Sequence, residues 1–229
     1  MLGSWLVTAN PETSPSGPKP QTTGKHSNDA PDNPFSLDAS WEFNHAALEI
    51  YQGWIGEVRA QSATGGNCAL IINKSAYMLY VIDGGDIVGE YPIELGFDPV
   101  HDKRMEGDGT TPEGIYHLTY YLDRGQTRFY RGYFIDYPSD LDREEFAKAQ
   151  AQGTIPGHAT IGGDIMIHGA GSGKTPNSGG YNWTLGCIAL SDEDIDTLWP
   201  SLYQGMPVAI VRYGHLLLED GHRSGTDTI

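Results

Sequence analysis

Hydrophobic and polar positions change rhythm several times along this chain, and each change marks an element. From Asn10 to Pro34 apolar residues are almost absent, and Pro, Ser, Thr, Asn and Gly leave nothing to pack. Residues 1–36 therefore read as a disordered or linker tail. Next, Trp41, Ala46, Leu48, Ile50, Tyr51, Trp54, Ile55 and Val58 include the spacings of three, four and seven that put side chains on one helical face. Gly53 and Gly56 interrupt the pattern. It predicts a helix or broken helix, within an extension over residues 37–66, packed against the domain that follows. Short β-branched and aromatic runs then take over at Ala69 to Asn73, Tyr77 to Ile82 and Asp86 to Leu95. Lys74-Ser75 and Asp83-Gly84-Gly85 separate them, and the glycines accept turn geometry without steric cost. Three sequential antiparallel strands are the expectation.

Beyond them, Gly107 to Gly114 packs three glycines and a proline into a turn that delivers Ile115 to Leu122 as a further strand. Arg128 to Arg131 and Tyr133 to Tyr137 read as an aromatic strand with cations. Asp140 to Gln152 reads as a surface helix stopped by Gly153. Ile165 to Ile167 and Ile188 to Leu190 are short apolar runs. Ser191 is placed to cap a helix with Asp192, Glu193 and Asp194 in its first turn. Ile195, Leu198, Trp199, Leu202 and Tyr203 form its apolar face, and Pro200 is expected to shorten it. Pro207 to Tyr213 is a closing strand, and residues 214–229 an unpatterned tail. Residues 67–213 are thus one mostly-β domain with a few short helices.

Composition sharpens this. Thirty glycines, 14 prolines and 13 tyrosines in 229 residues suit a turn-rich β domain. A net charge of −16 argues against nucleic acid and anionic membrane surfaces as partners. No stretch approaches the ~18 apolar residues of a membrane span. The opening MLGSWLVTAN has neither the cationic start nor the apolar length of a secretory signal. Cys68 and Cys187 give no disulfide framework, and Cys68 reads as a packed strand-edge residue. None of the eight histidines has a recognisable metal-ligand spacing, so neither metal nor cofactor is expected. Nothing in the sequence sets the oligomeric state.

The chemistry concentrates between Gly163 and Leu190. His168 closes one apolar run, and 18 residues separate it from Cys187, which follows Gly186 at the threshold of the next. A free thiol, with a pKa of roughly 8.5, is mostly protonated at neutral pH, and an imidazole beside it can take the proton. Glycine before the sulfur allows a sharp turn and frees amides to face an oxyanion. The structural alternative is a buried inert thiol and a satisfied strand-end histidine. In the intervening loop, Gly169 to Thr175 ends like a phosphate-binding loop. His168 occupies the place of that motif's first glycine, and Pro176 to Gly180 cannot form the helix the motif needs. The loop reads instead as a flap over the thiol, with Lys174 solvated.

Ile167-His168-Gly169, followed by Thr184-Leu185-Gly186-Cys187, resembles the active-site signature of the L,D-transpeptidase catalytic (YkuD) domain. Leu95 to Pro99 and Gly107 to Gly114 are similar to family features upstream, so the resemblance spans about Asn67 to Tyr213. It implies a β-sandwich or barrel fold and acyl transfer on peptidoglycan stem peptides, in the periplasm or cell envelope; either the signal for that lies outside this sequence, export follows another route, or the protein stays inside. It implies that Cys187 is the nucleophile, His168 its base, and the Gly186 and Cys187 amides the oxyanion donors. Thr184 would support that loop or the hole, and Gly169 the orientation of the ring. Tyr181, Trp183, Arg128 and Arg131 are candidate substrate contacts, the arginines having a solvated face as their alternative reading. Leu185 stands where many members have His and Ala189 where many have Arg, so the donor peptide is gripped differently here. An L,D-carboxypeptidase or amidase using the same pair, an exported murein-targeting toxin, and a non-catalytic wall-binding module using Trp41, Trp54 and Tyr181 are the alternatives.

Overall fold

The computed structural model describes residues 45–171 and 182–213. The predicted tail, Trp41, the flap with Lys174 and Tyr181, and the C-terminal tail lie outside the described residues.

Eight strands form one sheet: β1 (Ala69–Asn73), β2 (Met78–Asp83), β3 (Asp86–Pro92), β4 (Gly114–Leu122), β5 (Gly132–Ile135), β6 (Met166–Gly169), β7 (Ile188–Leu190) and β8 (Pro207–Val211), in the spatial order β3-β2-β1-β8-β4-β5-β6-β7. The predicted β1–β2–β3 meander is antiparallel throughout. Two pairings are parallel, β1 with β8 and β6 with β7, and local sequence pattern carries no sign of either. Glu94, just past edge strand β3, exchanges backbone hydrogen bonds with Ala189 of the opposite edge strand β7 (2.8 and 2.9 Å). The sheet is thereby nearly closed into a barrel. Strand β5 is shorter than its aromatic run suggests, because residues 124–131 are turns.

Inside, Leu70, Ile72, Leu79, Tyr116, Leu118, Tyr133, Ile167, Ile188 and Val208 pack into one apolar core. The opposite face of β1 and β8 is covered by α1 (His45–Gly65), an unbroken helix. It buries Ala47, Tyr51, Ile55 and Val58 against Ala69, Ile71, Ile82, Ala209 and Val211. Gly53 and Gly56 sit on its solvent side, where a missing side chain costs helix propensity but no packing. Helix α2 (Asp140–Ala151) starts from a Ser139 capping box. Helix α3 (Asp192–Leu198) is capped by Ser191 and passes at Trp199 into one 3₁₀ turn containing Pro200. Its Ile195 and Leu198, with Leu202, clamp the β6–β7 end of the core.

Candidate active site

Parallel pairing of β6 with β7 sets Ile167 against Ile188 and His168 against Ala189. Extending that register one residue back sets Met166 beside Cys187. Because side chains alternate along a strand, Met166, His168 and Cys187 share one face, opposite the core. The Met166 amide donates to Cys187 Sγ (3.4 Å), and Sγ lies 3.7 Å from the Asp164 carbonyl oxygen. The sulfur therefore leans toward the start of β6, while His168 stands two residues further on. No hydrogen bond joins the pair in this state.

The imidazole is nearly fully buried, at 1% exposure. Its Nδ1–H donates to the Gly169 carbonyl (2.7 Å), which leaves Nε2 as the unprotonated nitrogen, and Nε2 has no hydrogen-bond partner among the described residues. Phe129 packs against the ring with centroids 4.5 Å apart, and Trp183 meets it edge-on at 6.0 Å. Burial lowers the His168 pKa to about 4, although the Gly169 carbonyl and the Asp192 carboxylate pull the other way. Burial likewise raises the half-buried Cys187 thiol, with Asp164 adding to the rise. The Met166 amide and the Lys103 ammonium act in the thiolate's favour. Both groups are consequently neutral at rest.

The turn that carries Cys187 is braced from within. Thr184 Oγ1 accepts from the Gly186 amide (3.1 Å) and donates to the Cys187 carbonyl (2.7 Å). The Gly186 amide is therefore engaged inside the turn, and Thr184 shapes the loop. Gly186 has φ +130°, and a Cβ there would come within 2.5 Å of the Thr110 carbonyl oxygen. Only glycine fits. Thr110 belongs to the Gly107–Gly114 turn, whose Asp108 accepts from the amides of Arg104, Met105 and Thr110 and from Lys103 Nζ (2.9 Å). That turn thus frames the site through the backbone, with Asp108 as its organiser.

Of the predicted substrate contacts, Trp183 joins the wall around His168, and its indole N–H donates to the buried Glu94. Arg128 is exposed, its guanidinium 4.7 Å from the Phe129 ring centre. The Arg131 guanidinium is held by Asp123 (2.6 Å) and Asp196 (2.9 Å) and lies 4.0 Å over Trp199, so it pins the start of β5 to α3. Tyr181 lies outside the described residues. Sequence reasoning passed over Phe129 and Gly132 as site residues. A Cβ on Gly132 would approach His168 Cβ to 2.6 Å, so this glycine makes room for the imidazole. It passed over Asp192 too, whose Oδ1 accepts from the Gly171 amide (2.9 Å) and fixes the chain leaving His168. Their roles arise from cross-strand register, which no local motif encodes. Among the described residues no cluster of His, Cys, Asp or Glu could hold a metal ion, and both cysteines are free thiols.

A thiol and an imidazole thus share one face of a nearly closed barrel, at the seam between β6 and β7. Residues 69–210, more than half of the chain, match the family model of the L,D-transpeptidase catalytic domain, YkuD, and the chain belongs to that family. Among solved structures it is similar to Bd1075 of Bdellovibrio bacteriovorus (22% identity, 65% of this chain and 49% of that one, TM-score 0.45). It is also similar to Pgp2, a helical cell shape determining protein of Campylobacter jejuni (23%, 71% and 55%, TM-score 0.46). A third is an L,D-transpeptidase segment from Xylanimonas cellulosilytica (16%, 63% and 60%, TM-score 0.41). This chain spans about half to three fifths of their lengths. Among curated proteins, none matches.

Proposed function

We propose that this protein is a cysteine-dependent L,D-transpeptidase acting on peptidoglycan stem peptides in the cell envelope. The observation that carries the reading is His168 Nε2, a buried basic nitrogen with no hydrogen-bond partner among the described residues, on the face that bears Cys187. Leaving a buried acceptor unpaired costs roughly 1–3 kcal/mol. A proton arriving from the thiol during reaction gives that nitrogen a task.

Rotation of Cys187 about χ1 brings Sγ from the Asp164 carbonyl toward His168. Because the thiol is raised and the imidazole lowered, the pair starts neutral. His168 removes the proton as sulfur attacks the carbonyl of the third stem residue, a diaminopimelate. The Cys187 amide meets the oxyanion, since that of Gly186 is engaged by Thr184. The tetrahedral adduct collapses to a thioester. D-alanine leaves with the proton that His168 returns to its amine. An amine of a second stem then takes the acyl group, or water does so in a carboxypeptidase outcome. Exposed Arg128, beside Phe129, supplies a cation for a stem carboxylate where Ala189 offers none. Trp183, packed edge-on against His168, lines the approach.

Incubation with purified tetrapeptide stems, followed by mass spectrometry of protein and products, tests this. An adduct on Cys187 with released D-alanine is expected, together with loss of all turnover in Cys187→Ala. Turnover unchanged in that variant would refute the assignment. Dimeric stems in the products, as against tripeptide alone, distinguish transfer from hydrolysis.

A further inference from the structure

The row of side chains that holds the thiol continues across the sheet. Register sets Met166 of β6 opposite Phe134 of β5, so Cys187, Met166 and Phe134 lie side by side on the face away from the core. Between Leu118 and Tyr121 the β4–β5 register shifts, so that two residues, Thr119 and Tyr120, oppose the single residue Phe134. The bulge turns Tyr120 onto this face instead of into the barrel. Its ring stacks on that of Phe134, centroids 4.2 Å apart and planes inclined by 20°. Phe134 is covered, whereas Tyr120 remains 55% exposed with its outer face open. A large stacked aromatic left open in this way offers a flat apolar face with a polar hydroxyl at its edge.

Beside the shelf stand His117 and Asp136, on the same face by alternation along β4 and β5. The Asp136 carboxylate accepts from the His117 amide (2.8 Å) and pairs with its ring (3.2 Å), and both side chains are more than two fifths exposed. An aromatic plane rimmed by exchangeable donors and acceptors suits a pyranose ring. Its axial C–H groups lie against the aromatic face, and its equatorial hydroxyls reach polar groups at the edge.

Distance names the sugar. From Cys187 to Phe134 is two strand spacings, about 9.5 Å. Three extended residues of a stem peptide span about 10 Å. A stem whose third carbonyl sits at Sγ and whose chain follows the row delivers its first residue, and the sugar bonded to it, to Tyr120. We propose that Tyr120, stacked on Phe134 and flanked by His117 and Asp136, binds the N-acetylhexosamine that carries the stem, so that the enzyme selects glycan-linked stems over free peptides. This rests on the proposed action upon peptidoglycan stems.

The test compares free tetrapeptide with the same tetrapeptide joined to its disaccharide. The wild-type protein is expected to favour the glycan-linked stem in kcat/KM, chiefly through KM. Tyr120→Ala, at a half-exposed position that should not endanger folding, is expected to reduce that preference about tenfold, and Tyr120→Trp to retain it. No preference in the wild type, or equal losses on both substrates in Tyr120→Ala, would overturn the shelf. Saturation-transfer NMR with the peptide-free disaccharide separates the two proposals. Tyr120-dependent binding without turnover supports the shelf and sinks the reaction, whereas turnover without disaccharide binding sinks the shelf alone.

Discussion

His168 shows how one hydrogen bond decides the chemistry of a side chain. With Nδ1–H held by the Gly169 carbonyl, only Nε2 can take a proton, and its pKa of about 4 keeps it ready as a base far below neutrality. The sign follows from the direction of the shift. The neutral form persists as pH falls through the ordinary histidine value near 6.5, and the base is lost only around pH 4. Values of kcat/KM are therefore expected to hold from pH 7 to about pH 5 and to fall tenfold per unit below about pH 4. A limb centred near 6.5 in the pH–rate profile would contradict the buried, singly bonded imidazole. At this scale the sequence showed that Cys187 and His168 border short apolar strands, and the fold sets those strands side by side. The ion pair of Arg131 was not legible, because the Asp196 carboxylate lies 65 residues away in the chain. Nor was the engagement of the Gly186 amide, which depends on where a threonine hydroxyl points.

Elements were read more completely than their pairings. Strand β1 and the starts of β3 and β7 fall where the apolar runs put them, since period-two patterning is local. The parallel β6–β7 pair that builds the site joins segments whose register only the folded sheet defines. Helix α1 was expected to pack on the domain, and the structure adds how it is fastened. Tyr51 donates to Glu113 Oε2 (2.5 Å), while Lys74 Nζ (2.9 Å) and Arg212 Nε (3.1 Å) bond Oε1 of the same fully buried carboxylate. Two cations hold the Glu113 carboxyl below the usual carboxylate range against the opposing effect of burial. Glu113 lies in the turn whose Thr110 carbonyl seats Gly186, so the helix is tied to the frame around Cys187. Tyr51→Phe keeps the ring and removes one donor from a buried anion. It is expected to cost about 1–3 kcal/mol, read as a lower urea midpoint at unchanged slope. A shift within error would mean that the bond contributes nothing net.

Across the whole molecule charge is lopsided, with 14 basic against 30 acidic residues. Such an excess repels itself in the compact state. Raising salt from about 0.01 M to 0.15 M shortens the screening length from about 30 to 8 Å. The melting temperature is accordingly expected to rise over that range in calorimetry, and a fall would show that attractive ion pairs such as Arg131–Asp196 outweigh the repulsion. Among the described residues no helix is long and apolar enough to cross a membrane. The barrel's seam lies at the chemistry itself: the three-residue strand β7 is flanked by β6 on one side and by Glu94 on the other. So short a ribbon, left as a free edge, would fray under any load on its sulfur, the proposed acyl group included. Stitched along both margins, it resembles a bead set in a closed bracelet, where tugging on the bead strains the whole loop and not a dangling end.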